Sequence, residues 1–120
     1  LLCSIGITED YSMGYSEYNG FRAGLCSPYY WYDLQQEKVT SLKIFPFCFM
    51  EVNAINAGRT PEEALEEKLQ LAESVRKADG LMISIWHNNY LGTDRKWQGW
   101  GEIYEAFVRQ CMTGVSTAQQ

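Results

Sequence analysis

The strongest constraint on the fold is a well-marked helix that leads directly into an apolar segment. Thr60 can cap the helix, Pro61 fits its first turn and Glu63 completes a capping box. Apolar residues recur on one face of this helix: Leu65, Leu69, Ala72 and Val75. We expect Gly80 to end the helix in a left-handed conformation. Residues 81–86 (LMISIW) are then apolar on both faces, which predicts a central parallel strand of an α/β fold.

The rest of the chain predicts a second helix and one or two further strands. The helix is indicated by apolar residues three or four positions apart: Trp97, Trp100, Tyr104, Phe107 and Cys111. Residues 42–45 are predicted to form a strand that Pro46 ends, whereas residues 29–34 fit a strand or a loop equally well. Residues 113–120 are polar and aperiodic, so we expect a disordered tail behind a domain of residues 1–112.

Charge and hydropathy argue against two classes of partner. The chain carries 10 basic and 15 acidic residues, a net charge of −5, with no cluster of Lys or Arg, so we expect neither nucleic acid nor an anionic membrane surface. The longest apolar runs, residues 44–50 and 81–86, are far shorter than the ~20 residues of a membrane-spanning helix. The chain begins at Leu1 without the pattern of a signal peptide, and we expect it to be a fragment.

The cysteines indicate buried thiols rather than a disulfide framework. Cys3, Cys26, Cys48 and Cys111 are widely scattered and form no CxxC pair. Free cysteine is among the residues most often buried, and metal-binding cysteines usually come in close pairs. This pattern is typical of a reducing compartment such as the cytoplasm, but the localisation stays open.

His87, the one histidine of the chain, is the best candidate for acid–base chemistry. It directly follows residues 81–86, so it lies at the carboxyl end of the predicted strand, where α/β folds build their sites. An imidazole there can protonate a leaving group near neutral pH, although a purely structural histidine fits the same position. Asp10 could orient the imidazole by accepting its ring proton, or could simply stabilise a turn.

Three further features could contact a substrate. Arg22 lies between Gly20 and Gly24, where its guanidinium could hold a carboxylate or form a structural ion pair. An aromatic cluster that includes Tyr29 and Trp31, with Asp33 beside it, could stack on a sugar and bind its hydroxyl groups, or could pack against neighbouring strands. A catalytic zinc usually takes three protein ligands, and one histidine without an HExxH pair does not supply them.

Five motifs, in this order, resemble those of bacterial polysaccharide-deacetylase-like proteins, a type well represented in Bacteroidetes. The motifs are DYSMGY (10–15), GFRAG (20–24), WYDL (31–34), LKIFPF (42–47) and SIWHN (84–88). The resemblance extends from about Ile5 to Phe107. It implies an α/β fold, namely the C-terminal part of a distorted (β/α) barrel related to NodB-type carbohydrate esterases. Those enzymes use a divalent metal, held by one Asp and two His, to hydrolyse N-acetyl or O-acetyl groups on glycans.

The resemblance also implies roles for individual residues. His87 matches the late histidine that protonates the leaving group, and Asp10 looks like the carboxylate that tunes it. The segment around Arg22 is similar to the family's Arg-x-Pro-x-Gly motif only superficially, because it follows the DYSMGY segment instead of preceding it. The expected contacts with substrate are made by these side chains: Arg22, Tyr29, Trp31, Asp33, Trp86 and Asn88.

The family's early Asp-Asp motif and its paired-histidine motif have no counterpart in this chain. The resemblance therefore implies that a divalent metal, zinc by expectation, is held by a missing N-terminal half of the domain and not by this chain. Our first hypothesis is a fragment of a carbohydrate deacetylase, a hydrolase acting on non-peptide C–N bonds, that is inactive alone. The alternative is a catalytically silent glycan-binding or structural module on the same scaffold.

Overall fold

The computed structural model describes the backbone of residues 1–117 and the side chains of residues 1–113. Within that range the chain forms a mixed α/β fold, with two small sheets and three α-helices, and its strands do not close into a barrel. The elements in chain order are β1 (Glu9–Asp10), β2 (Tyr29–Asp33), β3 (Lys38–Ile44), β4 (Phe49–Met50), α1 (Glu51–Asn56), α2 (Pro61–Lys77), β5 (Ser84–Ile85) and α3 (Trp100–Thr117).

Two sheets organise these strands. In the first sheet β3 lies between β1, which pairs with it in parallel, and β2, which pairs with it antiparallel. In the second sheet β4 and β5 pair in parallel, with Phe49 opposite Ser84 and Met50 opposite Ile85. Because β3 and β4 are joined by only four residues, one extended segment of the chain connects the two sheets.

The start of α2 is as predicted, but its end differs. Thr60 Oγ1 accepts a hydrogen bond from the Glu63 N–H at 3.2 Å, and the Thr60 N–H donates to Glu63 Oε2 at 2.9 Å, so the capping box is confirmed. The left-handed residue is Asp79, with φ of 52°, and not Gly80. Gly80 instead allows close packing, since a Cβ there would lie 2.3 Å from Cys26 Sγ.

The apolar segment 81–86 pairs as predicted, in parallel, but it is not a central strand. Only Ser84 and Ile85 form β5, and in the described part of the chain β5 pairs with β4 alone. Leu81 is 45% exposed. A segment that is apolar on both faces is fully buried only where strands or helices cover both of them. Here neither face is fully covered, because residues 82–86 are all only partly buried.

The core lies mainly between α2, α3 and the segment from β3 to α1. Its buried apolar residues include Leu42, Ile44, Phe47, Phe49, Ala54, Ala64, Val75, Trp100, Ile103 and Phe107. On α2 the predicted face is shifted: Val75 is buried, whereas Leu65, Leu69 and Ala72 are only partly so. Lys68 is buried in their place, at 1% exposure.

The C-terminal helix begins later than the spacing predicts. Trp97 lies in a 3-10 turn, and Gly99 has φ of 93°, so α3 begins at Trp100. The helix continues to Thr117, which includes the first part of the predicted tail; residues 118–120 lie outside the described residues. None of the helices within residues 1–117 combines the length and the apolarity needed to span a bilayer.

The prediction that all four cysteines are buried is wrong. Cys48 is buried, Cys26 is partly buried, and Cys3 and Cys111 are exposed. Cys3 lies in an N-terminal 3-10 turn with no buried residue, and Cys111 lies in the part of α3 where residues 108–113 are all exposed. Burial therefore follows the position in the fold and not the residue type.

The ring of Phe47 packs directly against Gly14 of the DYSMGY segment and leaves no room for a side chain there. The Phe47 N–H donates to Met13 O at 3.0 Å, which brings the two segments together, and Arg22 Nη1 donates to Gly14 O at 3.2 Å. A Cβ on Gly14 would lie 2.2–2.4 Å from carbon atoms of the Phe47 ring. No side chain fits there unless the ring or the backbone moves.

We therefore expect the Gly14→Ala substitution to lower the free energy of unfolding by about 1–3 kcal/mol, the usual cost of overpacking a buried site. Gly92→Ala is a matched control, because a Cβ at the exposed Gly92 would have no neighbour closer than 4.0 Å. Urea unfolding followed by circular dichroism would measure both changes. Equal stability of the two variants would show that Phe47 does not restrict position 14.

Candidate functional site

The candidate site lies where β4 and β5 end. Because the two strands are parallel, their carboxyl ends meet at one edge of the sheet, and Glu51 follows β4 there while His87 follows β5. Glu51 Oε1 lies 2.8 Å from His87 Nδ1 and also accepts the backbone N–H of His87. The Glu51 side chain is completely buried, whereas that of His87 is 44% exposed. The pair thus joins a carboxylate in the core to an imidazole at the surface.

This contact defines what the imidazole can do. An ionised Glu51 accepts the proton of Nδ1 and so fixes the tautomer and the orientation of the ring. Nε2 is then the nitrogen that exchanges a proton with a substrate. The ring of Tyr90 packs edge-on against the imidazole of His87, with 6.0 Å between the two ring centroids, and further restricts its rotation. The arrangement suits a group that donates or accepts one proton at a defined atom.

Lys68 of α2 is the second charged side chain in this part of the core. Its Nζ lies 3.8 Å from the ring centroid of Phe107, 4.4 Å from that of Trp86 and 5.0 Å from that of Phe49. We call these three rings the aromatic cage. Burial lowers the pKa of Lys68 from its ordinary 10.5 to about 7, although Cys111, Cys48 and Glu51 act in the opposite direction. Cation–π attraction to the cage favours the charged amine.

Sequence reasoning missed both Glu51 and Lys68. One feature of the sequence could have identified Glu51: it is an acidic residue directly after the apolar residues 47–50. His87 has the same position after the apolar residues 81–86. No sequence feature indicates that Lys68 is buried, because a lysine in an amphipathic helix usually lies on the solvated face. Its burial depends on three rings from different parts of the chain.

Asp10, the predicted partner of His87, is not bonded to it. Asp10 Oδ1 accepts the backbone N–H of Ser12 at 2.7 Å and also the Ser12 hydroxyl, so it closes a turn after β1. It does lie near β5, because Asp10 and Ile85 line the same surface hollow of about 490 Å³. Glu51 is the carboxylate that contacts His87.

The structure brings three of the predicted site residues into one open cleft of about 780 Å³. Asp10, Trp31 and Asp33 line this cleft together with Lys38 and Thr40. Trp31 is 43% exposed, so one part of its indole is accessible. Asp33 Oδ1 accepts the backbone N–H groups of residues 35 and 36, which stabilises the β2–β3 turn.

The remaining predicted residues are apart from this cleft. Trp86 belongs to the aromatic cage, and its Nε1 donates to Ser84 Oγ at 3.3 Å. Asn88 is exposed and begins a 3-10 turn after His87. Arg22 supports the Gly14 loop, and Tyr29 pairs with Ile44 in the sheet. The predicted residues are therefore divided: Asp10, Trp31 and Asp33 line the cleft, Trp86 and Asn88 adjoin His87 in the chain, and Arg22 and Tyr29 belong to neither group.

The described residues do not supply a metal centre. No three Asp, Glu, His or Cys side chains within the part of the chain that the structure describes come together as ligands. His87 and Glu51 bind each other, and Asp10 and Asp33 are occupied by their own turns.

The comparisons with known proteins give no family for this chain: no family model matches it, and neither a curated protein nor a solved structure shows significant similarity to it.

The buried lysine predicts an unusual dependence of stability on pH. Unfolded chains hold the lysine proton up to about pH 10.5, whereas the folded protein releases it near pH 7. Between these values the unfolded state binds more protons, so Lys68 destabilises the fold fully below pH 7 and this cost disappears as the pH rises towards 10.5. The contribution changes by about 1.4 kcal/mol per pH unit within that window.

Lys68→Met keeps the volume and the contact with the rings but removes the charge, so we expect a more stable protein at pH 7. The gain over wild type should shrink steadily towards pH 10. Denaturant unfolding at several pH values measures it, and Lys77→Met, which replaces an exposed lysine of the same helix, is the control. A gain that stays constant with pH would mean that Lys68 does not titrate in this range.

Proposed function

We propose that this chain is the C-terminal part of a metal-dependent carbohydrate deacetylase of the NodB type, in which His87 is the general acid. The observation that carries the proposal is the contact between buried Glu51 and half-exposed His87 at the ends of two parallel strands. The resemblance of the DYSMGY, GFRAG, WYDL, LKIFPF and SIWHN segments to deacetylase-like proteins agrees with it. The substrate is a glycan that carries N-acetyl or O-acetyl groups.

In this proposal each residue of the chain has a limited task. Glu51 positions the imidazole by accepting its Nδ1–H, and His87 delivers a proton from Nε2 to the departing amine or alcohol of the sugar. The cleft with Trp31, Asp33 and Asp10 binds further sugar units. The metal polarises the acetyl carbonyl and activates water in such enzymes, and its ligands would be supplied by the N-terminal half of the domain.

The free edge of β5 supports the need for that N-terminal half. Within the described residues β5 pairs with β4 on one side, and its other edge has no strand beside it. Apolar side chains near it, including Leu81 and Ile85, are only partly covered. A parallel strand from upstream would satisfy this edge, as the proposed barrel requires.

We expect His87→Ala in the full-length parent to lower kcat for acetate release from acetylated chito-oligosaccharides by about 10²–10⁴, the usual contribution of a general acid. Asn89→Ala is the matched control, because Asn89 is exposed in the same 3-10 turn. The 120-residue chain alone should release no acetate. Equal rates for the two variants would exclude His87 as the acid.

The second candidate function is a catalytically silent glycan-binding module, and the cleft around Trp31 favours it. Trp31 and Asp33 face this cleft, whereas Tyr32, between them in the strand, is exposed but does not line it. An accessible indole beside a carboxylate is a common way to hold a sugar ring. A parent that binds glycan without releasing acetate would agree with this function.

We expect Trp31→Ala to weaken the binding of chito-oligosaccharides by about tenfold, the equivalent of one lost stacking contact of roughly 1.4 kcal/mol. Tyr32→Ala removes a similarly exposed ring outside the cleft and should leave the affinity unchanged. Isothermal titration calorimetry with the parent measures both affinities. An equal loss for the two variants would show that the cleft does not select the sugar.

A further inference from the structure

Lys68 is a buried charge that the proposed chemistry does not use. Its ammonium is held by the aromatic cage and, among the described residues, forms no ion pair. Two of the cage residues are close in sequence to the site: Phe49 precedes Glu51 by two residues, and Trp86 directly precedes His87. The ammonium therefore packs against both segments that carry the Glu51–His87 pair.

Glu51 is a buried carboxyl group with incomplete hydrogen bonding. Its side chain is completely buried, and Oε1 accepts both N–H groups of His87, but in the described part of the chain no donor reaches Oε2. A buried carboxylate with too few hydrogen-bond donors is stabilised by a positive charge nearby. A neutral His87 is a donor but brings no net charge to balance the carboxylate.

We propose that Lys68 is a positioning residue for His87, because its caged ammonium is the counter-charge that keeps Glu51 an ionised acceptor of the Nδ1–H. The inference rests on the proposed role of His87 as an acid and adds a third residue to that site. Lys68 acts on the imidazole through Glu51, without contacting a substrate.

The other groups that act on Lys68 agree with this assignment. They are the thiols of Cys48, just before β4, and of Cys111, on α3. Burial raises the pKa of Cys48 to about 11, and it also raises the pKa of Cys111. Both thiols are therefore neutral near pH 7, which leaves Glu51 as the anion among the groups that act on the ammonium.

The proposal makes a definite prediction for the ring protons. When the Lys68 ammonium is removed, the Glu51–His87 pair should lose its extra proton only at a higher pH than in wild type. That proton lies either on the carboxylate or on the imidazole. In the first case Glu51 donates to Nδ1 and Nε2 carries the ring proton; in the second both ring nitrogens are protonated. Nε2 is protonated in either case, so its signal reports the loss of the counter-charge.

The test is a pH titration of the ¹⁵N-histidine-labelled chain by NMR. Since His87 is the one histidine, its two ring nitrogens give a single pair of signals. In Lys68→Met the midpoint of Nε2 deprotonation should rise by about one pH unit, the size expected for two charges several ångströms apart in a partly screened site. Lys77→Met should match wild type.

A midpoint for Lys68→Met that equals the wild-type midpoint would overturn the proposal. Should Lys68→Met not fold, Glu51→Gln tests the same coupling from the other end, because energetic coupling between two sites is reciprocal. Removal of the anion should then lower the titration midpoint of Lys68, followed through its labelled ¹³Cε, by about one pH unit. An unchanged lysine midpoint would also overturn the proposal.

These readouts are independent of the proposed function. Both NMR titrations use the chain alone and need neither a glycan nor the N-terminal half. If Lys68 and Glu51 are coupled but the parent releases no acetate, the proposed deacetylase function is wrong, whereas the role of Lys68 in positioning His87 stands. Acetate release that depends on His87, with no shift in either titration, would refute the role of Lys68 alone.

Discussion

The parallel pairing of β4 with β5 is the interaction on which the rest of the site depends. It joins only two residues of each strand, yet it fixes which side chains meet beyond the strand ends. Glu51 and His87 become neighbours because they follow strands that run in the same direction, and Phe49 and Trp86 become walls of one cage for the same reason. An antiparallel pairing would place the residues that follow the two strands at opposite edges.

Three buried polar side chains lie within this small core. Glu51, Asn53 and Lys68 are all nearly inaccessible, and each costs free energy when it leaves water. The bonds of Glu51 with His87 and the three rings around Lys68 offset only part of that cost. Apolar residues of similar size would give a more stable core, so the arrangement makes sense where a defined imidazole matters more than stability.

The sequence predicts those parts of the fold that local interactions determine. The capping box of α2 involves residues three apart, and Thr60 and Glu63 form it as their types require. The parallel direction of β5 agrees with the helical crossover from β4 through α1 and α2, since parallel strands are usually joined in this way. The extent of β5, the burial of Lys68 and the partner of His87 depend on contacts between distant segments, which a periodic pattern in one segment does not contain. The left-handed residue at the end of α2 is Asp79 and not Gly80, and Gly80 instead packs closely against Cys26, a contact from a distant segment.

The choice of Glu51 over Asp10 as the partner of His87 has a structural reason that bears on function. Asp10 is the last residue of β1, a short strand of the other sheet, and its carboxylate closes the turn that follows. Glu51 begins α1 at the same sheet edge as His87, and within the described residues Oε1 accepts only the two N–H groups of His87. A module that only stacks sugars on Trp31 gains nothing from a buried carboxylate that fixes one tautomer of an exposed imidazole. The pair suits proton transfer at Nε2, and this agrees with the proposed deacetylase.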